Sequence, residues 1–446
     1  MSLSTERVLS RKTIATYAIG SLGTGGFATL PGLVLAIYLT DTLGIAAGFV
    51  SLIVVVPKIW DVIIDPIIGA RSDRSLALTG SRRRYMMLGA ILLPVFFIIT
   101  FAVPAGVHGV AAAVWVLIAF TATATAFSLF QVPYIALPAE LADGYDQRTR
   151  LLTARVVVLT VAILLFGAGG QELRKLGGDD EHLGYLIMAI VAGLVIGGGM
   201  LISSFVAKKG PTSVAKPSSI ADGYREGFSA LRRSQPFRAL LLTFGLQALA
   251  TGIMLTGAVY VAKWVLHDES ASSLLFVALI GPALIFTPVW QFVSRKIGKE
   301  RGFIIASSFY GVAAVALIGM LFAPGWWVFI PVALAGAGYA GMQSLPMAML
   351  PDVITHDASL NGQGSAGTFG GMWTAGETTG FALGAAAFTF AIGIAGYIES
   401  TGAQVEQPTS AVSAIVIAFS AVPAVLILLS LFSFSRYRLR KVDIDS

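Results

Sequence analysis

The chain contains no cysteine, which excludes disulfides, thiolate metal sites and thiol catalysis together. Histidine is almost as scarce. The four present, His108, His182, His267 and His356, fall at expected loops or helix ends with no HExxH or other ligand spacing, so they read as solvated or internally satisfied side chains. No metal site is expected from them. Charge is also sparse: 12% of the 446 residues are charged against 56% hydrophobic, with a mean hydropathy of +0.81. That balance excludes an ordinary soluble domain. No GxxxxGK[ST] loop is present to cradle a nucleotide phosphate, which argues against ATP as an energy source. No cofactor is expected.

What the chain has instead is long apolar runs. A helix needs about 20 mostly apolar residues to cross the hydrocarbon core. Twelve spans meet that requirement, at 14–40, 45–70, 85–103, 111–139, 151–170, 183–206, 237–262, 272–292, 303–322, 326–350, 369–395 and 410–434. The expected fold class is therefore an all-α membrane protein with twelve transmembrane helices. Span 1 is too long, and too broken by Gly20, Gly23, Gly25 and Gly26, to be a cleaved signal peptide, and it reads as the first permanent helix.

All but four of the 30 Lys and Arg fall on one side of these spans or in the segments between them on that side; the exceptions are Lys58, Arg174, Lys175 and Lys263. The positive-inside rule then expects both termini in the cytoplasm of a bacterial inner membrane. The charge of +6 and pI near 9.5 are thus read as topology, not as nucleic-acid binding. Residues 207–236 are polar, basic and contain Pro and Ser, and they divide the chain into an amino-terminal six-helix bundle (1–206), a cytoplasmic linker (207–236) and a carboxy-terminal bundle with a short tail (237–446). The halves echo one another, since span 4 leaves as LPAELADGYD and span 10 as LPDVITHDAS. Two related bundles with a substrate site near mid-membrane describe an alternating-access transporter. The expected surroundings are the lipid bilayer and a small polar substrate, with no obligatory protein partner.

Charge reappears where it is least expected. KIWDVIIDP, inside span 2, places Lys58, Asp61 and Asp65 at helical spacings of three and four, so they share one face. That face is a functional candidate, because ionisable groups in a bilayer turn away from lipid and are expensive to keep there. Two carboxylates in a dry site cannot both ionise cheaply, so one takes up a cation or a proton while Lys58 balances the other. A purely structural network of these residues with Arg155 is the alternative. Glu377, deep in span 11, reads either as a second proton site or as a partner for a buried cation.

KIWDVIIDPIIGARSDRS, preceded by YLTDTLG, resembles the second-helix signature of the glycoside–pentoside–hexuronide cation symporters, the melibiose permease family of the major facilitator superfamily. YAIGSLG, QVPYIALPAEL, RTRLLTAR and AMLPDVITHD extend the likeness over the whole chain. The resemblance implies the major facilitator fold, no enzymatic activity, and cation binding at Asp61 and Asp65 with Lys58 one turn before them. It implies that the Ser128 hydroxyl supports that cation site and that Arg155 lines the substrate cavity. Departures matter as well. Ile64 stands where the family offers an asparagine oxygen, which suits a proton better than Na⁺ at Asp61 and Asp65. Gly25 and Gln131 stand at the family's sugar-gripping carboxylates, and the helix 11 lysine falls near Glu377 and Thr378, so a melibiose-like galactoside is not expected. Gln131, Arg155 and Trp373 would instead build a site of different specificity. The expected function is proton-coupled symport of a glycoside, pentoside or hexuronide. A lysolipid or other amphiphile on the same fold is the alternative, and a membrane enzyme acting on a lipid-linked substrate a remote one.

Overall fold

The structure, a computed structural model, describes residues 9–104, 106–141, 145–207, 231–361, 366–399, 405–437 and 439. Most of the expected linker, residues 208–230, and most of the basic tail lie outside the described residues. Twelve helices are long and apolar enough to span a membrane. Spans 1 to 6 are Arg11–Thr42, Ala47–Leu76, Arg83–Phe101, Gly109–Pro138, Arg150–Lys175 and Glu181–Ser204. Spans 7 to 12 are Gln235–Trp264, Ala271–Ile297, Lys299–Leu321, Trp326–Asp357, Met372–Ile394 and Thr409–Phe434. The fold is all-helical, with large apolar side chains such as Ile118, Leu194, Val312 and Leu428 left exposed on the spans, as lipid contact requires.

Several boundaries follow from capping chemistry. Ser10 Oγ accepts the Thr13 amide at the start of span 1, and Asp180 Oδ1 accepts the Leu183 amide at the start of span 6. Ser234 does the same for Phe237, with Pro236 in the first turn of span 7. The helix of span 2 runs on to Thr79, where Gly80 turns it off with φ +71°. Arg71 and Arg74, which follow the expected span 45–70, therefore sit on a helical extension, because no proline or glycine stands between Gly69 and Gly80.

The chain forms two compact units, Met1–Pro31 with Val56–Ile220 and Gly32–Val55 with Ala221–Ser446. The helices of spans 4 and 10, Gly109–Leu141 and Phe329–Asn361, have 33 residues each. At 1.5 Å per residue that is about 50 Å, well beyond the hydrocarbon thickness. Both carry two prolines five residues apart, Pro133 and Pro138 in one, Pro346 and Pro351 in the other. Close helix contact depends on glycine in each unit. A Cβ on Gly89 would sit 2.6 Å from the Ala126 carbonyl, and one on Gly338 would sit 2.6 Å from that of Ala306.

Span 1 is the least regular. It consists of a helix Arg11–Ala18, a second helix Ser21–Ile37 with Pro31 inside it, and a π-helical turn Tyr38–Thr42. Pro31 lacks the amide that would continue the hydrogen-bond ladder. The passage from one unit to the other falls at this proline.

Candidate functional site

Within the first unit, one unbroken helix, Ala47–Thr79, carries Lys58, Asp61 and Asp65. Lys58 Nζ donates to Asp61 Oδ2 at 3.0 Å across one turn, and neither side chain is open to solvent by more than about a quarter. Asp65, one turn further on, interacts with the Ser128 side chain of span 4. Ser128 is buried. The Oδ1 atoms of Asp61 and of Asp65 are both buried and have no hydrogen-bond partner among the described residues. A buried carboxylate oxygen without a donor is costly. The geometry thus leaves one acid paired with an ammonium and the next, among the described residues, without a cation of its own, with two unpartnered acceptor atoms on residues a helical turn apart. Trp60 donates its indole N–H to Thr125 of span 4 at 2.9 Å.

A second polar group lies in the same unit. Thr24 of span 1 donates to Gln131 Oε1 at 2.7 Å. Tyr134, one turn beyond Gln131, donates to the Tyr17 carbonyl at 2.9 Å, meets the Ser21 hydroxyl at 3.1 Å, and stacks on the Tyr17 ring at 4.7 Å. The Arg155 guanidinium of span 5 lies 5.4 Å from the Tyr134 ring centroid. Its Nε is buried and unpartnered, and among the described residues no carboxylate pairs with it. Tyr17, Ser21 and Thr24 were not singled out in the sequence. Their spacing of four and three was the available signal, blurred by the break at Ile19 and Gly20.

Gly25 has a packing role here. A Cβ on it would lie 2.8 Å from Ala162 Cβ and 3.0 Å from the Leu159 carbonyl. The first span therefore seats its backbone directly on span 5 at the position where the family resemblance implied a carboxylate, and no side chain fits.

The remaining expected residues lie in the second unit. Trp373 is 2% exposed and stacks on Phe244 of span 7 with centroids 4.1 Å apart. Its indole nitrogen has no hydrogen-bond partner among the described residues. One turn later, Glu377 interacts with Gln343 of span 10, whose Nε2 donates to the Tyr339 hydroxyl at 3.2 Å. Thr378 is exposed and returns its hydroxyl to the Thr374 carbonyl at 3.0 Å. Among the described residues no three His, Asp or Glu side chains converge on one point.

Comparison with known proteins places these groups in context. A family model described as MFS/sugar transport protein matches residues 16–441. The isoprimeverose transporter of Lactiplantibacillus pentosus is 24% identical, over 92% of this chain and 85% of its own. The human sodium-dependent lysophosphatidylcholine symporter 1 is 23% identical, over 87% and 76%. Among solved structures, that of a D-xylose-proton symporter superposes with a TM-score of 0.67 at 13% identity, covering 96% of this chain and 97% of the other.

Proposed function

We propose a coupling ion and a cargo class for a chain that belongs to the MFS/sugar transport protein family and is accordingly a membrane transporter, not an enzyme. The chain works as a proton-coupled symporter of a glycoside, pentoside or hexuronide. The observation that carries the reading is the Lys58–Asp61 pair with Asp65 beside it, uncompensated by a cation of its own. Protonation of Asp65 removes the one intramembrane negative charge that the helix does not balance itself. A proton needs a single acceptor, whereas Na⁺ wants several oxygens and finds Ile64 where another could have been. Binding of the proton and of the cargo support one another only if each favours the same conformation.

The hexuronides are favoured within the cargo class. Arg155 is a half-buried cation whose Nε–H is buried and unused and which pairs with no acid among the described residues, and its planar fork suits a carboxylate. Gln131 and Tyr134 supply donors and acceptors for hydroxyls. The same basic asymmetry that organises the loops supports cytoplasmic termini in a bacterial inner membrane. A second reading, carriage of a lysolipid, is supported by the human relative, whose identity to this chain equals that of the sugar carrier within a percentage point.

The test is uptake of labelled glucuronate, its methyl ester, xylose and lysophosphatidylcholine into proteoliposomes at two pH values with and without sodium, because symport of one proton with one carboxylate anion moves no net charge. Glucuronate uptake that requires a proton gradient, is weaker with the ester and is lost in Asp65→Asn supports the proposal. Uptake of lysophosphatidylcholine alone, or sodium-dependent uptake at constant pH, overturns it.

A further inference from the structure

Lys263 is one of three basic residues that the topology leaves on the side where basic residues are rare. The structure gives it a buried acid. Lys263 Nζ donates to Asp41 Oδ2 at 2.7 Å, and Asp41 is 2% exposed. The Tyr397 hydroxyl, just beyond span 11, donates to Asp41 Oδ1 at 2.6 Å, and Trp264 donates to Tyr397 at 2.8 Å. Thr40 donates to the same Oδ1 at 2.7 Å and meets the Tyr260 hydroxyl at 3.1 Å. Burial first, and then the negative charge of Asp41, hold the Tyr397 hydroxyl well above the usual tyrosine range, so it remains a donor. A few residues on, the Glu399 carboxylate accepts the Ala47 amide at 3.0 Å, at the positive end of the span 2 helix. A Cβ on Gly393 would lie 3.1 Å from the Gly48 nitrogen.

All of these groups belong to the second unit, yet Asp41 continues a span whose beginning belongs to the first. Two features interrupt the regular helix of span 1. Pro31 interrupts the ladder, with Gly32 in open space beside it, and Asp41 reaches its partners from a π-helical turn, a geometry that recurs at functional sites. A buried ion pair is also a poor choice for permanent adhesion, since apolar side chains of similar volume hold at least as well. Its advantage is that it can release.

We propose that Asp41, Lys263 and Tyr397 form a releasable bolt that fastens the far end of span 1 to spans 7 and 11, and that the bolt opens and closes during transport. The proposal rests on the chain being a transporter and on no particular cargo or ion. It is tested without a cargo. The chain is free of cysteine, so Ala36→Cys, at a site 3% exposed one turn before the π-turn, supplies a single thiol whose labelling by a membrane-impermeant maleimide in nanodiscs reports opening. Lys263→Met on that background raises the labelling rate by about tenfold or more, the factor that corresponds to about 1.4 kcal/mol of lost fastening. The exchange Asp41→Lys with Lys263→Asp returns it towards the starting value, which a misfolded protein does not do. A second variant fixes the bolt shut. The Gly393 Cβ position is 3.4 Å from Ala47 Cβ, close to disulfide range, so oxidised Ala47→Cys/Gly393→Cys slows labelling at Ala36→Cys and reductant reverses the effect. Unchanged labelling in a folded Lys263→Met protein, or labelling indifferent to the disulfide, overturns the proposal.

Discussion

Span 2 and span 8 hold the same ordinal place in the two halves of the chain, and their contents differ completely. Span 2 is one unbroken helix with a lysine and two aspartates on a single face. Span 8 has no acidic residue, keeps Arg295 and Lys296 at its very end, and is divided at Gly281–Pro282 into two shorter helices. Spans 4 and 10 by contrast are alike, each 33 residues long in the helix that contains it, with prolines at the same separation. The acid following those prolines is used alike too. Glu140 pairs with Arg82 in one unit and Asp352 with Lys299 in the other. The halves thus share what packs and clamps, whereas the charged face of span 2 has no counterpart in span 8. A repeated architecture does not require a repeated site.

The largest effect that can test this asymmetry is expected in span 2. Asp65→Asn should reduce accumulation driven by a proton gradient to the level set by the cargo alone, while exchange of cargo at equal concentrations persists; equal loss of both would show that Asp65 is structural. An acid introduced in span 8, Thr287→Asp, should not rescue that variant, and rescue would break the comparison outright.

Arg155→Lys comes next. Losing the planar fork removes a charged hydrogen bond worth about 1.5–3 kcal/mol, so half-saturation of glucuronate uptake should rise about 10–100-fold. An unchanged value would remove Arg155 from the cargo site. The clamps separate the units by stability. Arg82 is 10% exposed and also donates to Ser72 at 2.7 Å, whereas Lys299 is 40% exposed. Breaking a buried pair costs about 3–5 kcal/mol and an exposed one at most about 1. Arg82→Met should therefore lower the melting temperature in detergent clearly more than Lys299→Met, and a reversed order would contradict the burial argument. The smallest expected change is Trp60→Phe, which removes one hydrogen bond to Thr125 and should leave proton coupling intact, as a pH-jump uptake assay can verify.

Much of this was legible in the sequence. The twelve spans emerge from hydropathy because a bilayer leaves helices few alternatives, and the charged face of span 2 from spacing alone. Trp373 illustrates what spacing does not convey: its residue type fits either packing or a cargo contact, and only the structure shows that Phe244, 129 positions away, stacks on its ring. Gly25 reads in the sequence as a lost carboxylate and in the structure as a point where two backbones meet. Asp41 was visible within YLTDTLG yet had no assigned partner, because Lys263 and Tyr397 lie in other spans and a sequence without an alignment carries no record of such pairs.

The separation of Asp41 from its partners also bears on how the protein is made. Lys263 follows it by 222 residues and Tyr397 by 356. Synthesis at about 5–20 residues per second leaves this aspartate waiting roughly ten seconds to a minute for its counter-ion. During that interval the far end of the first span carries an acid that hydrocarbon rejects. Water or lipid headgroups must shelter it until then, and a span made before spans 7 and 11 is finished only after them.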